Sequence, residues 1–148
     1  MKGQHLQSIC LMKKFNEITI IDDDKIQVFL FLKFIEKTDM AENVSSFVNG
    51  KDAFDEMKKR FETNSTYPDI VFLNLNMPVW DGWLFYDEFK KLPNSDKITV
   101  YILTSSLSSA DHEKASIRGL SGRYLNKPLK FEQLRELLLK EQEKIEDS

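Results

Sequence analysis

Along the chain, short β-branched or wholly apolar runs alternate with longer stretches in which apolar residues return every three or four positions. Ile18-Thr19-Ile20-Ile21 is the first such run, and it ends abruptly in Asp22-Asp23-Asp24, the pattern of a buried strand emptying into an acidic loop. Asp24 can cap a helix over about Lys25 to Lys37; Val28 to Leu32 is so continuously apolar that periodicity alone also fits a strand, and length decides for helix. Asn43 to Val48 is a weaker strand closed by Asn49-Gly50, after which Ala53, Phe54, Met57 and Phe61 recur at helical spacing. Ile70-Val71-Phe72-Leu73, introduced by Pro68-Asp69, is the clearest strand, and Met77-Pro78 with Asp81-Gly82 marks the loop and turn after it. Leu84, Phe85, Phe89 and Leu92 predict a third helix stopping at Pro93, followed by a strand from Ile98 to Leu103 that ends at Thr104-Ser105-Ser106. A fourth helix between Ser109 and Arg118, a short strand Arg123-Tyr124-Leu125, and a last helix with Phe131, Leu134, Leu137 and Leu138 on its apolar face complete the pattern.

Five strand-then-helix units of roughly 20 to 30 residues imply parallel strands joined by right-handed crossovers, hence an α/β sandwich with helices on both faces. In such sheets the functional residues gather in the crevice outside the carboxyl ends of the strands, which here means Asp22-Asp23, Asn74 to Asn76, Thr104 and Lys127. The charged segment 141–148 is expected to fray as a tail. Residues 1–16 exceed what the first strand needs and read as an extension, with Met12 as an alternative start, so the folded domain is expected over 17–140.

A length of 148 residues suits one domain, and 41% hydrophobic with 30% charged residues is an ordinary globular composition. The net charge of -3 and scattered lysines leave no electrostatic footprint for nucleic acid. The only cysteine, Cys10, cannot close an internal disulfide, and the apolar run Ile9 to Met12 is too short for a signal peptide. Ile26 to Ile35 is broken by Gln27 and Lys33 and falls well short of the ~20 residues of a membrane span. The expectation is a cytoplasmic protein that binds neither nucleic acid nor membrane.

Two adjacent acids, a polar group at the neighbouring strand end, a hydroxyl and a lysine together describe a site for a divalent cation and a phosphoryl group. Mg²⁺ takes hard oxygen ligands and keeps several waters, so Asp22, Asp23 and one backbone carbonyl could hold it. A lysine ammonium and a hydroxyl match phosphoryl oxygens, where negative charge spreads during transfer, and Lys127 and Thr104 have those properties. Taken singly, each has a plainer reading: a capped turn for Asp22 to Asp24, a strand-end threonine, a surface lysine, a half-buried ring for Tyr124. Joint placement at strand ends favours the site.

In Ile21-Asp22-Asp23, Asn74-Leu75-Asn76-Met77-Pro78 with Asp81-Gly82, Leu103-Thr104-Ser105 and Tyr124-Leu125-Asn126-Lys127-Pro128, in that order and spacing, the chain resembles the response-regulator receiver family, also called CheY-like. The resemblance implies a flavodoxin-like (βα)5 fold with strand order 2-1-3-4-5. It also implies Asp22 and Asp23 as the acidic pair at a Mg²⁺ site, the Asn76 carbonyl as a ligand, and Thr104 and Lys127 as phosphoryl contacts. Tyr124 matches the family's switch aromatic, and a cis peptide is implied at Lys127-Pro128. The partners implied are a sensor histidine kinase or phosphotransfer protein and a downstream target, docked around Ser109 to Lys140, a face also used for homodimers. With no output domain after residue 148, a standalone two-component signalling module is expected rather than an enzyme.

One position departs from the family. The phospho-accepting aspartate, four residues before the proline of Met-Pro, is Asn74 here. A neutral carboxamide lacks the charged oxygen that attacks phosphorus, and its loss leaves Asp22 and Asp23 as the only carboxylates for a weakened Mg²⁺ site. Asp69 begins the same strand, about five residues or roughly 16 Å from the crevice, and Asp81 is a turn residue. Asn74 fits a natural pseudo-receiver, a deliberate substitution, or a residue that deamidates, though bulky Leu75 slows the last. The enzyme alternative is a haloacid-dehalogenase-like phosphatase with Asp22 as nucleophile; it lacks a late acidic pair and room for a cap domain. Trp80 and Trp83 are assigned no function, one shielding the loop and the other packed beneath it.

Overall fold

The computed structural model describes residues 14–147. Its strands are β1 (Phe15–Ile21), β2 (Ala41–Phe47), β3 (Ile70–Leu73), β4 (Thr99–Thr104) and β5 (Tyr124–Asn126), and its helices α1 (Lys25–Thr38), α2 (Gly50–Glu62), α3 (Gly82–Phe89), α4 (Ser109–Ile117) and α5 (Phe131–Asp147). All five strands are parallel in one sheet of order β2-β1-β3-β4-β5. The alternation of strands and helices implied the parallel sheet, and the order is the flavodoxin-like one that the resemblance implied.

The period of two along the central strands builds a core on each face. Val71, Leu73, Val100 and Ile102 pack with Ala53 and Met57 of α2, Phe85 and Phe89 of α3, and Ala115 of α4. Ile70, Phe72, Tyr101 and Leu103 point the other way, into Phe31 and Ile35 of α1 and Leu134 and Leu138 of α5. Phe72 anchors that second layer, with Phe31 edge-on at 4.7 Å and Tyr101 stacked at 5.5 Å between centroids.

The Val28–Leu32 ambiguity resolves as helix because Asp24 caps it, its carboxylate accepting from the amides of Ile26 at 3.0 Å and Gln27 at 3.2 Å. β2 starts two residues before the expected Asn43, since its pairing with β1 begins at Ala41 opposite Phe15. It is an edge strand whose alternation is mostly polar, which is why the sequence marks it weakly. α3 ends at Phe89, before the expected Leu92, and a turn through Ser95–Lys97 leads into β4.

Both expected chain ends shift. The extension over 1–16 cannot reach residue 16, because Phe15 is fully buried at the start of β1; the remaining positions 1–13, with the alternative start at Met12, lie outside the described residues. Where a tail was expected from Glu141, α5 continues to Asp147. Glu141 is buried because the Tyr101 hydroxyl donates to its carboxylate at 2.5 Å, with Lys144 adding a second donor at 3.2 Å. Burial and that carboxylate push the Tyr101 phenol well above its ordinary value. Among the described residues no helix is long and apolar enough to cross a membrane.

Candidate functional site

The strand register assembles the crevice. Ile21 pairs with Leu73, so the next residues, Asp22 and Asn74, emerge side by side, and the Asn74 amide donates to the Ile21 carbonyl at 2.9 Å. Leu73 pairs with Ile102 and Thr104 with Asn126, which sets Thr104 and Lys127 on the far side of Asn74. The Lys127 amide donates to the Thr104 carbonyl at 2.8 Å, just before a cis Lys127-Pro128 peptide.

Side chains then close on one another. Lys127 Nζ donates to Asp22 Oδ2 at 2.7 Å and to Asn74 Oδ1 at 3.4 Å. The Asp24 amide donates to the other Asp22 oxygen at 2.9 Å. Asn74 Nδ2 donates to the Asn76 carbonyl at 3.0 Å and, at a longer 3.4 Å, to Asp23 Oδ1. Asp22 and Asn74 are buried, 1% and 7% exposed, whereas Asp23 and Asn76 face solvent. The two carboxylates thus differ in accessibility: Asp22 is an internal counterion and Asp23 an outward group.

Gly82 lies close against the backbone that follows β3. A Cβ there would lie 2.5 Å from the Asn74 carbonyl oxygen and 2.9 Å from Leu75 Cα, both backbone atoms that cannot swing away. The Gly82 amide instead donates to the Leu75 carbonyl at 2.8 Å, pinning the start of α3 under the loop. Asp81 caps that helix through the Leu84 amide at 2.9 Å, and Asp69 binds the Asn16 amide at 2.6 Å at the opposite sheet edge, so neither enters the crevice. Trp80 is half-buried over Phe54, with ring centroids 5.1 Å apart.

Thr104 is fully buried and its hydroxyl oxygen accepts the Ser106 amide at 3.0 Å. Beyond it lies a network that the sequence did not disclose. Asp111 accepts from the Trp83 indole at 2.9 Å and from the Ser106 hydroxyl at 2.7 Å, and these two donors hold its carboxyl below the usual range. The Ser106 carbonyl takes the Tyr124 hydroxyl at 3.5 Å and the Asn126 amide at 3.2 Å, and the Tyr124 ring sits 4.3 Å from His112. Trp83, expected only to pack, is therefore also a buried donor tying α3 to the first turn of α4. An acidic residue in the first turn of a helix is too common for Asp111 to have been singled out.

The donor set bears on the Mg²⁺ that the family implies. Among the described residues no group of three or more His, Cys, Asp or Glu side chains gathers as a metal site. Of the three expected ligands, Asp23 and the Asn76 carbonyl both accept from the Asn74 amide, and Asp22 has both oxygens bonded within the protein. As arranged, these residues do not fit a resident divalent cation. Nor does Asp22, buried and doubly bonded, present an oxygen to a substrate as the phosphatase alternative requires.

This sheet order is that of the receiver fold. The family model described as "Response regulator receiver domain" matches residues 18–139, and the chain belongs to that family. A probable methanogenesis regulatory protein, FilR2, from Methanothrix harundinacea (strain 6Ac), is 27% identical over 118 residues, covering 80% of this chain and 76% of that protein. The crystal structure of a two-component response regulator from Cytophaga hutchinsonii superposes with a TM-score of 0.76 at 31% identity, covering 87% of this chain and 98% of that one. A response regulator receiver protein from Dyadobacter fermentans DSM 18053 gives 0.69 at 26% identity, covering 84% and 96%. The chain is thus a receiver domain of two-component signalling, a class that is in general non-enzymatic.

Proposed function

We propose that this chain is a cytoplasmic pseudo-receiver, which signals by docking proteins and accepts no phosphoryl group at position 74. The observation carrying this reading is the Asn74 carboxamide at the end of β3, hydrogen-bonded to Lys127, Asn76 and Asp23. Forming an acyl phosphate there would require a nucleophilic carboxylate oxygen, and the amide oxygen is neutral and already accepts from Lys127. In an Asn74→Asp chain this reading gives Asp22 and Asp23 the role of acidic pair beside the Asn76 carbonyl, Lys127, once released from Asp22, and the Thr104 hydroxyl the phosphoryl oxygens, and Tyr124 the part of following the loop.

The partners of this reading are a sensor histidine kinase or phosphotransfer protein and a downstream protein target. Exposed apolar side chains support docking on two faces. Ile26, Phe29 and Leu30 lie at the crevice end of α1, while Leu107 and Ile117 flank α4 within or beside the Ser109 to Lys140 face. Incubation with acetyl phosphate and Mg²⁺ followed by intact-mass measurement tests the reading. The chain should stay unmodified, and a phosphoryl adduct on it would overturn the proposal.

A further inference from the structure

Asn74 does more than omit a nucleophile. Its Nδ2 lies 3.0 Å from the Asn76 carbonyl and 3.4 Å from Asp23 Oδ1, so one NH2 group serves the two oxygens that a cation in this crevice would need. An amide NH2 carries two partly positive protons, one for each acceptor. The carboxamide cannot be reversed, because its oxygen would then face a carbonyl and a carboxylate while its NH2 met the Lys127 ammonium. Asp22 is likewise closed, with Lys127 at 2.7 Å on one oxygen and the Asp24 amide at 2.9 Å on the other.

We propose that the Asn74 carboxamide stands in for the divalent cation, making the crevice a hydrogen-bonded lock that needs no metal. Four chain segments meet on it: the Asp22–Asp24 loop, the end of β3, the Asn76 turn, and Lys127 after β5. An incoming Mg²⁺ would have to strip Asp23 and the Asn76 carbonyl from the amide and share Asp22 with Lys127, gaining only two carboxylates. The protein therefore holds one arrangement of these segments whatever the Mg²⁺ supply. The inference rests on the pseudo-receiver reading and adds a property that can fail separately.

Thermal unfolding of the full chain in EDTA and in Mg²⁺ at matched ionic strength tests it. The wild-type Tm should be the same in both. Asn74→Asp, with three carboxylates facing one lysine, should melt lower than wild type in EDTA and recover in Mg²⁺, by about 5–10 °C at ~100 times the dissociation constant. Asn74→Ala removes the NH2 without adding charge and should melt below wild type in EDTA, which keeps the test open if Asn74→Asp folds poorly. A saturable rise of the wild-type Tm in Mg²⁺ overturns the inference, as does an Asn74→Ala Tm equal to wild type, or a folded Asn74→Asp chain indifferent to Mg²⁺. Mg²⁺ binding by the wild type without phosphorylation would sink the lock and leave the pseudo-receiver reading intact; a phosphoryl adduct on the wild type would sink that reading.

Discussion

Lys127 and Asp22 stand 105 residues apart in sequence and 2.7 Å apart in space. They reach each other across β3 and β4, from the outer strand β5 to β1, so one ion pair spans most of the carboxyl edge of the sheet. With the side chains 12% and 1% exposed, solvent screens the pair little, and each charge depends on the other for its burial.

Removing the lysine alone should be costly for that reason. Lys127→Met leaves Asp22 buried with only the Asp24 amide, and urea unfolding should show a loss of about 3 kcal/mol. The double variant Asp22→Asn with Lys127→Met removes both charges and should regain most of that loss. A single variant within ~0.5 kcal/mol of wild type would mean that the pair is not buried as described.

Tyr101 and Glu141 make a second pair, at the other end of the domain. Tyr101→Phe deletes the donor at 2.5 Å and leaves the buried carboxylate with Lys144, at a cost of about 1–3 kcal/mol. Amide exchange over residues 141–147 should quicken in the variant while the central strands change less. The pH dependence has a definite sign. The folded phenol is raised above the ordinary value of 10.0, so its neutral form is favoured in the folded state. Its stabilising contribution is complete below that value and is lost as pH rises above it. Wild-type stability should fall in this alkaline window more steeply than that of Tyr101→Phe; equal slopes would contradict the assignment.

Much of this architecture was legible in the alternation of short apolar runs and amphipathic stretches, since Ile70–Leu73 and the runs around it can only be buried strands. The strand-end rule then pointed at Asp22, Asn74, Thr104 and Lys127; the Lys127 ammonium bonds the side chains of Asp22 and Asn74, and its backbone amide bonds the Thr104 carbonyl. What stayed hidden depends on partners remote in sequence. Glu141 looks like a tail residue until Tyr101 is seen to bury it, and Asp111 looks like any first-turn acid until Trp83 and Ser106 converge on it. The expectation of a weakened Mg²⁺ site came from counting carboxylates, which cannot show where a carboxamide's NH2 will point.

Gly82 should tolerate no side chain. Gly82→Ala places a Cβ 2.5 Å from the Asn74 carbonyl oxygen, so the backbone of the β3–α3 loop has to move, at about 1–3 kcal/mol. Thermal unfolding should register the loss, and Trp80 and Trp83, which flank this glycine, should report the shift in fluorescence. An alanine variant with wild-type Tm and emission would contradict the close approach.

The central claim is that one carboxamide separates this chain from a phosphate-accepting receiver. Its most direct test is the intact mass of the wild type and of Asn74→Asp after incubation with acetyl phosphate and Mg²⁺. The account predicts an unmodified wild type and an Asn74→Asp chain carrying one phosphoryl group that hydroxylamine removes, as expected of an acyl phosphate. A wild-type chain that takes up the phosphoryl group, or a folded Asn74→Asp chain that never does, would contradict it.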